Sequence, residues 1–172
     1  MKPASEAEFR EFATSAMPRL RRVAIGISRD PHGADDLVQT TMEKLYVVWP
    51  RVARAGSPYA YARTTLVRTL LAERRRLSWG REVIADDVDA ASADPAEATE
   101  ARIVVTDALA RLTARQRACV VLRHLEGLSV AETARAIGCS EGTVKSTTSD
   151  ALARMRTHLD DTAPRAQERS AS

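Results

Sequence analysis

The chain has 172 residues, a formal net charge of +3 and a hydrophobic fraction of 44%, enough apolar material for one ordinary domain or two small ones. An aromatic content of 4% and seven glycines argue against a β-rich fold, and the dominance of alanine, leucine and arginine points to an all-α protein. The opening MKPASEAEFREF sets Glu6, Glu8 and Glu11 where a secretory signal needs an apolar run, and no stretch approaches the roughly 18 apolar residues of a membrane span, so a cytoplasmic protein without membrane insertion is expected.

Phe9, Phe12, Ala16, Leu20, Val23, Ala24 and Ile27 recur at helical spacing, with Pro18 as a start or kink. Asp30-Pro31 reads as an N-cap with proline in the first turn, and the following helix, residues 33 to about 49, turns Leu37, Val38, Met42, Leu45 and Trp49 inward. Asp35, Asp36, Gln39, Glu43 and Lys44 stay outside. Ser57-Pro58 starts a third helix whose core stripe is Ala62, Leu66, Leu70 and Leu71, with Arg63, Thr64, Arg68 and the run Arg74, Arg75, Arg76 facing solvent.

Residues 81–93 lose helical periodicity, and every charge from Glu82 to Glu100 is negative. This places an acidic flexible linker at 81–94, between a first domain at 1–80 and a second at 95–160; a polar, disordered tail comes after it at 161–172. With no packing expected in the linker, the halves should move independently. A basic helix followed by an acidic spacer suits a nucleic-acid-binding face, although charge alone serves equally for a solvated helix and an acidic loop.

Helices are expected at 95–111, 114–126, 130–137 and 141 to about 159, with capping boxes at Thr113/Gln116 and Ser129/Glu132. The stretch LSVAETARAIGCSEGTVKSTT, 128–148, stops one helix at Gly138 and restarts another at Ser140. A sharp corner needs a residue at positive φ, which glycine supplies, and Ser140 can cap the next helix. Val144, Thr148, Ala151, Leu152 and Met155 would then pack on Ala134, Ile137, Val121, Leu122 and Leu125, leaving Glu141, Thr143, Lys145, Thr147 and Ser149 outward. Short hydrogen-bonding side chains and a lysine at the leading end of such a helix suit base edges and phosphates in a major groove. The alternative is a helical hairpin that only packs. Cys119 and Cys139, the two cysteines, form no CxxC pair and have no histidine at ligand spacing, so no metal site, cofactor or disulfide framework is expected.

These residues resemble the bacterial RNA polymerase sigma factors of the extracytoplasmic-function (ECF) group, in their SigE-like actinobacterial branch, over roughly residues 8–159. GADDLVQTTMEKLYVVWPRV looks like regions 2.1 to 2.2, SPYAYARTTLVRTLLAERRR like regions 2.3 to 2.4, and LTARQRACVVLRHLEGLSVAETARAIGCSEGTVKS like region 4. The resemblance implies a non-enzymatic, two-domain subunit that binds core RNA polymerase, recognises the minus-35 and minus-10 promoter elements and promotes melting, in a family where anti-sigma partners are common. It assigns Asp35, Asp36, Gln39 and Glu43 to core polymerase. Arg63, Thr64, Arg68, Arg74, Arg75, Arg76 and Trp79 go to the minus-10 strand, Trp79 either stacking on a base or packing at an interface. Arg115, Arg117, Ser140, Glu141, Thr143, Lys145, Ser146 and Thr147 go to the minus-35 element. Arg68, Thr40, Thr147, Thr148 and Asp150 depart from the family pattern, and Thr133 stands at an often apolar core position.

Two other functions fit the residues less well. A free-standing helix-turn-helix regulator would carry a sensory domain in place of an arginine-rich helix. An enzyme built on Asp35, Asp36 and Glu43 fails because adjacent helical residues diverge by about 100° and no nucleophile, phosphate loop or HExxH motif accompanies them.

Overall fold

A computed structural model describes the backbone of residues 3–79 and 100–169 and the side chains of 5–77 and 103–160. The expected linker at 81–94 and the Trp79 side chain lie outside the described residues. Among the described residues every regular element is helical.

Helix α1, Pro3–Ser28, buries Ala16, Leu20, Val23, Ala24 and Ile27 along one stripe and passes through Pro18 on its solvent side without ending. It stops where Arg29 takes a left-handed φ of 61° and its amide donates back to the Ile25 carbonyl at 2.8 Å. The Asp30 carboxylate accepts from the His32 amide at 3.1 Å and Pro31 presets the first turn, so α2, Pro31–Val52, begins ahead of the expected position 33. It also runs through Pro50, past the expected end near 49, to a short 3-10 turn at Ala53–Ala55. Phe9 and Phe12 pack on Trp49, with ring centroids 5.2 and 5.0 Å away. Helix α3, Pro58–Trp79, lays Ala62, Leu66, Val67 and Leu70 against both.

In the second half come α4, Glu100–Ala110; α5, Ala114–Val120; α6, Val130–Ile137; and α7, Glu141–Arg169. Helix α7 continues to Arg169, where an irregular tail is expected from 161. The helix expected at 114–126 widens after Val120 into a π-type turn, Val121–Leu125, in which the Glu126 amide reaches the Val121 carbonyl at 3.0 Å. One extra residue in the turn rotates the downstream side chains by about 100°. Leu125, expected beneath α7, therefore points outward at 57% exposure, while the Glu126 side chain turns inward at 4%.

The two halves share one buried cluster. Ala118, Cys119, Val121, Leu122, Leu128, Ala136 and Ile137 belong to the same buried cluster as the cores of α1, α2 and α3. The run 118–122, apolar on all sides of its helix, needs cover beyond α6 and α7, and α1 and α3 supply it. Gly26 sits at a close approach, where an added Cβ would come within 3.1 Å of Val121. Arg117 stitches the halves further. Its side chain is buried, with Nε donating to the Ile27 carbonyl and a terminal nitrogen to the Leu112 carbonyl, both at 2.6 Å. Both acceptors stand at or just past helix ends, where backbone carbonyls lack intrahelical donors.

Cys119 is buried while Cys139 is half-buried, and burial pushes the Cys119 thiol up to about 11. At pH 8 only about one Cys119 thiol in a thousand is ionised. Alkylation of the native chain with iodoacetamide is therefore expected to label Cys139 first and Cys119 only after unfolding; equal rates measured by mass spectrometry would contradict this packing.

Candidate nucleic-acid interface

The corner between α6 and α7 is built from local chemistry. Ser129 and Glu132 form a complete capping box at the start of α6, and the hydrogen bond from the Ser129 amide holds the Glu132 carboxyl below the usual carboxylate range. Gly138 closes the helix at φ 79° and ψ 49°; its amide and that of Cys139 both reach the Ala134 carbonyl, at 2.8 and 3.0 Å. No atom lies within 4 Å of where a Cβ would stand, so backbone angle and not space selects glycine. Buried Thr133 is satisfied by donating to the Ser129 carbonyl at 2.9 Å, so the polar residue at this core position leaves no orphan hydroxyl.

At the head of α7 the Ser140 hydroxyl accepts from the Thr143 amide at 3.1 Å and pairs with the Thr143 hydroxyl at 2.8 Å. Ser140 is thus engaged as a cap. Val144 and Ala151 anchor the inner face of the helix. Glu141, Lys145 and Ser146 are exposed on the leading turns, and Thr143 and Thr147 are partly so. Arg115 is exposed as well, whereas Arg117, expected at a phosphate, is buried and bound to backbone carbonyls. This arrangement offers Arg117 to no nucleic acid.

The arginines of α3 divide similarly. Arg75 and Arg76 are exposed, and Arg74 is half-buried and donates to the Ser28 carbonyl at 3.2 Å. Arg63, expected to face solvent, is 8% exposed and donates to the Glu126 carboxylate at 3.1 Å, while Thr64 beside it is half-buried. Arg68 reaches across to the end of α6, donating to the carbonyls of Arg135 at 2.6 Å and Ala136 at 3.3 Å. Glu126 also accepts from Arg19 and from the Tyr59 hydroxyl, each at 3.1 Å. Burial, followed by the Glu126 charge, pushes the Tyr59 hydroxyl well above the ordinary tyrosine range, so it stays a neutral donor.

On α2, Asp35, Asp36, Gln39 and Glu43 are all exposed. Arg21 binds Asp35 at 2.5 Å and holds its carboxyl below the usual range, and Gln39 donates to Glu43 at 3.1 Å. Tyr46 and Val47 extend this face at 42% and 79% exposure. Sequence reasoning does not single them out, although each falls off the core stripe three or four residues after Glu43. It passes over Glu126 too, because only the widened turn before that residue aims it inward.

Comparison with known proteins matches these parts separately. The Sigma-70 region 2 family covers residues 12–80, and the Sigma-70, region 4 family covers residues 102–155. Over 170 residues the chain is 38% identical to the RNA polymerase sigma-E factor of Streptomyces antibioticus, covering 94% of this chain and 91% of that protein. It is 34% identical over 137 residues to the ECF RNA polymerase sigma factor SigM of Mycobacterium tuberculosis, covering 80% of this chain and 69% of that one. Among solved structures, a chain in the co-crystal of the sigma factor RpoE with the anti-sigma factor NepR from Bartonella quintana superposes with a TM-score of 0.71 at 26% identity, covering 89% of this chain and 97% of that one.

Proposed function

The chain belongs to the sigma-70 family of RNA polymerase sigma factors, in its ECF group, and from that premise we propose how its surfaces divide the work of promoter recognition. Helix α2 binds core polymerase through Asp35, Asp36, Gln39 and Glu43, with Tyr46 and Val47 adding apolar contact. An acidic rim around an apolar centre suits a basic, partly apolar partner. The α3 arginines Arg63, Arg68, Arg74, Arg75 and Arg76, with Thr64, hold the minus-10 strand, their charge neutralising phosphates while the duplex opens. Trp79 belongs to the same surface by sequence position.

The head of α7 enters the minus-35 major groove. Lys145 and Arg115 meet phosphates, and Glu141, Thr143, Ser146 and Thr147 approach base edges. Ser140 fixes the angle of entry, and Arg117 is structural. The exposed polar head of α7 on its glycine corner is the observation that carries the reading. The function is one of binding and not of catalysis. No helix among the described residues is long and apolar enough to cross a membrane. As a sigma factor the chain works beside polymerase in the cytoplasm. A partner of the anti-sigma kind, as in the RpoE co-crystal, fits the same fold.

The test is reconstitution with core polymerase and mapping of transcript starts, which should yield discrete starts absent from core alone. Asp36→Lys with Glu43→Lys is expected to weaken core binding roughly tenfold or more in a pull-down. Unchanged binding would remove α2 from the polymerase contact.

A further inference from the structure

Helix α7 carries a second charged surface, away from its head. Arg154 follows Lys145 by nine residues, about 14 Å along the helix axis and half a turn round it, so the two side chains leave opposite sides of α7. His158 comes one turn after Arg154 on the same side, with Thr157 beside it. Helix α4 packs on α7, and Arg111 stands in the turn that closes it, where the amides of Arg111 and Leu112 bond back to the carbonyls of Ala108 and Leu109 at 3.3 and 3.2 Å. Arg111, Arg154, Thr157 and His158 line one open cavity of about 450 Å³. That is within the range of about 300 to 1,000 Å³ usual for small-molecule sites.

Two guanidiniums and an imidazole line this cavity, and no carboxylate does. Arg111 and Arg154 are exposed, and neither forms a salt bridge among the described residues; Asp150, one turn before Arg154 on α7, stays beyond ion-pair distance. Like charges that face one concave surface repel, and each guanidinium presents a planar fork of N–H donors that matches phosphate oxygens. A phosphate dianion between them turns repulsion into attraction. Thr157 points to what that phosphate is attached to. Its hydroxyl proton is committed to the Ala153 carbonyl at 3.2 Å, so toward a ligand its oxygen can only accept, which suits a ligand hydroxyl.

We propose that the cavity between α4 and α7 binds a small hydroxylated phosphate ester, such as a sugar phosphate, with Arg111 and Arg154 clamping the phosphate and Thr157 accepting from a hydroxyl. The half-buried His158 ring forms one wall. None of these four residues belongs to the polymerase or promoter sets, and Arg154 leaves α7 on the side opposite Lys145. Ligand and duplex can therefore be held at once.

The experiment titrates ribose 5-phosphate and, separately, inorganic phosphate into the full chain, with binding followed by isothermal calorimetry and by NMR shifts. Wild type should bind ribose 5-phosphate with a Kd of about 1 mM or tighter. Arg111→Gln combined with Arg154→Gln, both exposed positions outside the shared core, should weaken both probes roughly tenfold or more. Thr157→Val should weaken ribose 5-phosphate roughly threefold or more and leave inorganic phosphate unchanged. Lys145→Gln, at the head of the helix, should change neither.

The absence of saturable ribose 5-phosphate binding overturns the proposal, as does binding that survives the double arginine change or is lost in Lys145→Gln. Equal affinity for the two probes overturns the choice of an ester. Weaker binding of a short non-promoter duplex by the double arginine variant, with a salt slope reduced by about one per arginine, would make the cavity a DNA contact and overturn it too. Failure of promoter-directed starts would count against the functional reading and leave the cavity's ligand standing.

Discussion

Replacing Arg117 by alanine is expected to lower the unfolding free energy by about 3 to 5 kcal/mol, since each of its two hydrogen bonds joins a charged donor to a backbone carbonyl and is worth about 1.5 to 3 kcal/mol. The guanidinium is 1% exposed and serves the carbonyls of Ile27 and Leu112. Alanine leaves both acceptors without that donor and opens a cavity between the halves. Against a total domain stability of about 5 to 15 kcal/mol, such a loss should move the urea midpoint down by about 2 M. Because one core runs through both halves, circular dichroism should record a single transition. An unchanged midpoint, together with weaker DNA binding and a salt slope reduced by about one, would instead return Arg117 to the phosphate contacts that the family resemblance implies.

Thr143→Ala combined with Lys145→Ala is expected to cut promoter-specific transcription roughly thirtyfold or more, taking the lost base-edge contact of Thr143 and the lost phosphate contact of Lys145 at about 1 kcal/mol each. Lys145 is exposed and Thr143 partly so, and the helix cap survives because it is the Thr143 backbone amide that donates to Ser140. Core binding should stay at the wild-type level in a pull-down. Loss of core binding in this double variant would contradict the assignment of α7 to duplex DNA.

Features set by neighbours in the chain are legible from sequence. Pro31 behind Asp30, the boxes at Thr113/Gln116 and Ser129/Glu132, and Gly138 at its corner each depend on residues a few positions apart, and each stands where the pattern puts it. The apolar stripes of α1, α2 and α3 are equally clear, since a helix must bury whatever face is apolar. The features that escape depend on contacts between distant segments. Arg63 and Arg117 look like surface arginines until Glu126 and the Ile27 carbonyl are brought to them from 63 and 90 residues away. The widened turn at Val121–Leu125 has no local signature in VLRHL, and it decides whether Leu125 or Glu126 faces the core. The cluster shared by the two halves escapes for the same reason: the apolar run 118–122 looks like the core of one domain and serves two.

The widened turn also bears on descent. A one-residue deletion there would restore an ordinary helix and turn Glu126 away from Arg19, Tyr59 and Arg63, with no polymerase- or promoter-assigned residue replaced. The gain or loss of a single codon can in this way decide whether a carboxylate meets Arg19 of α1 and Arg63 of α3.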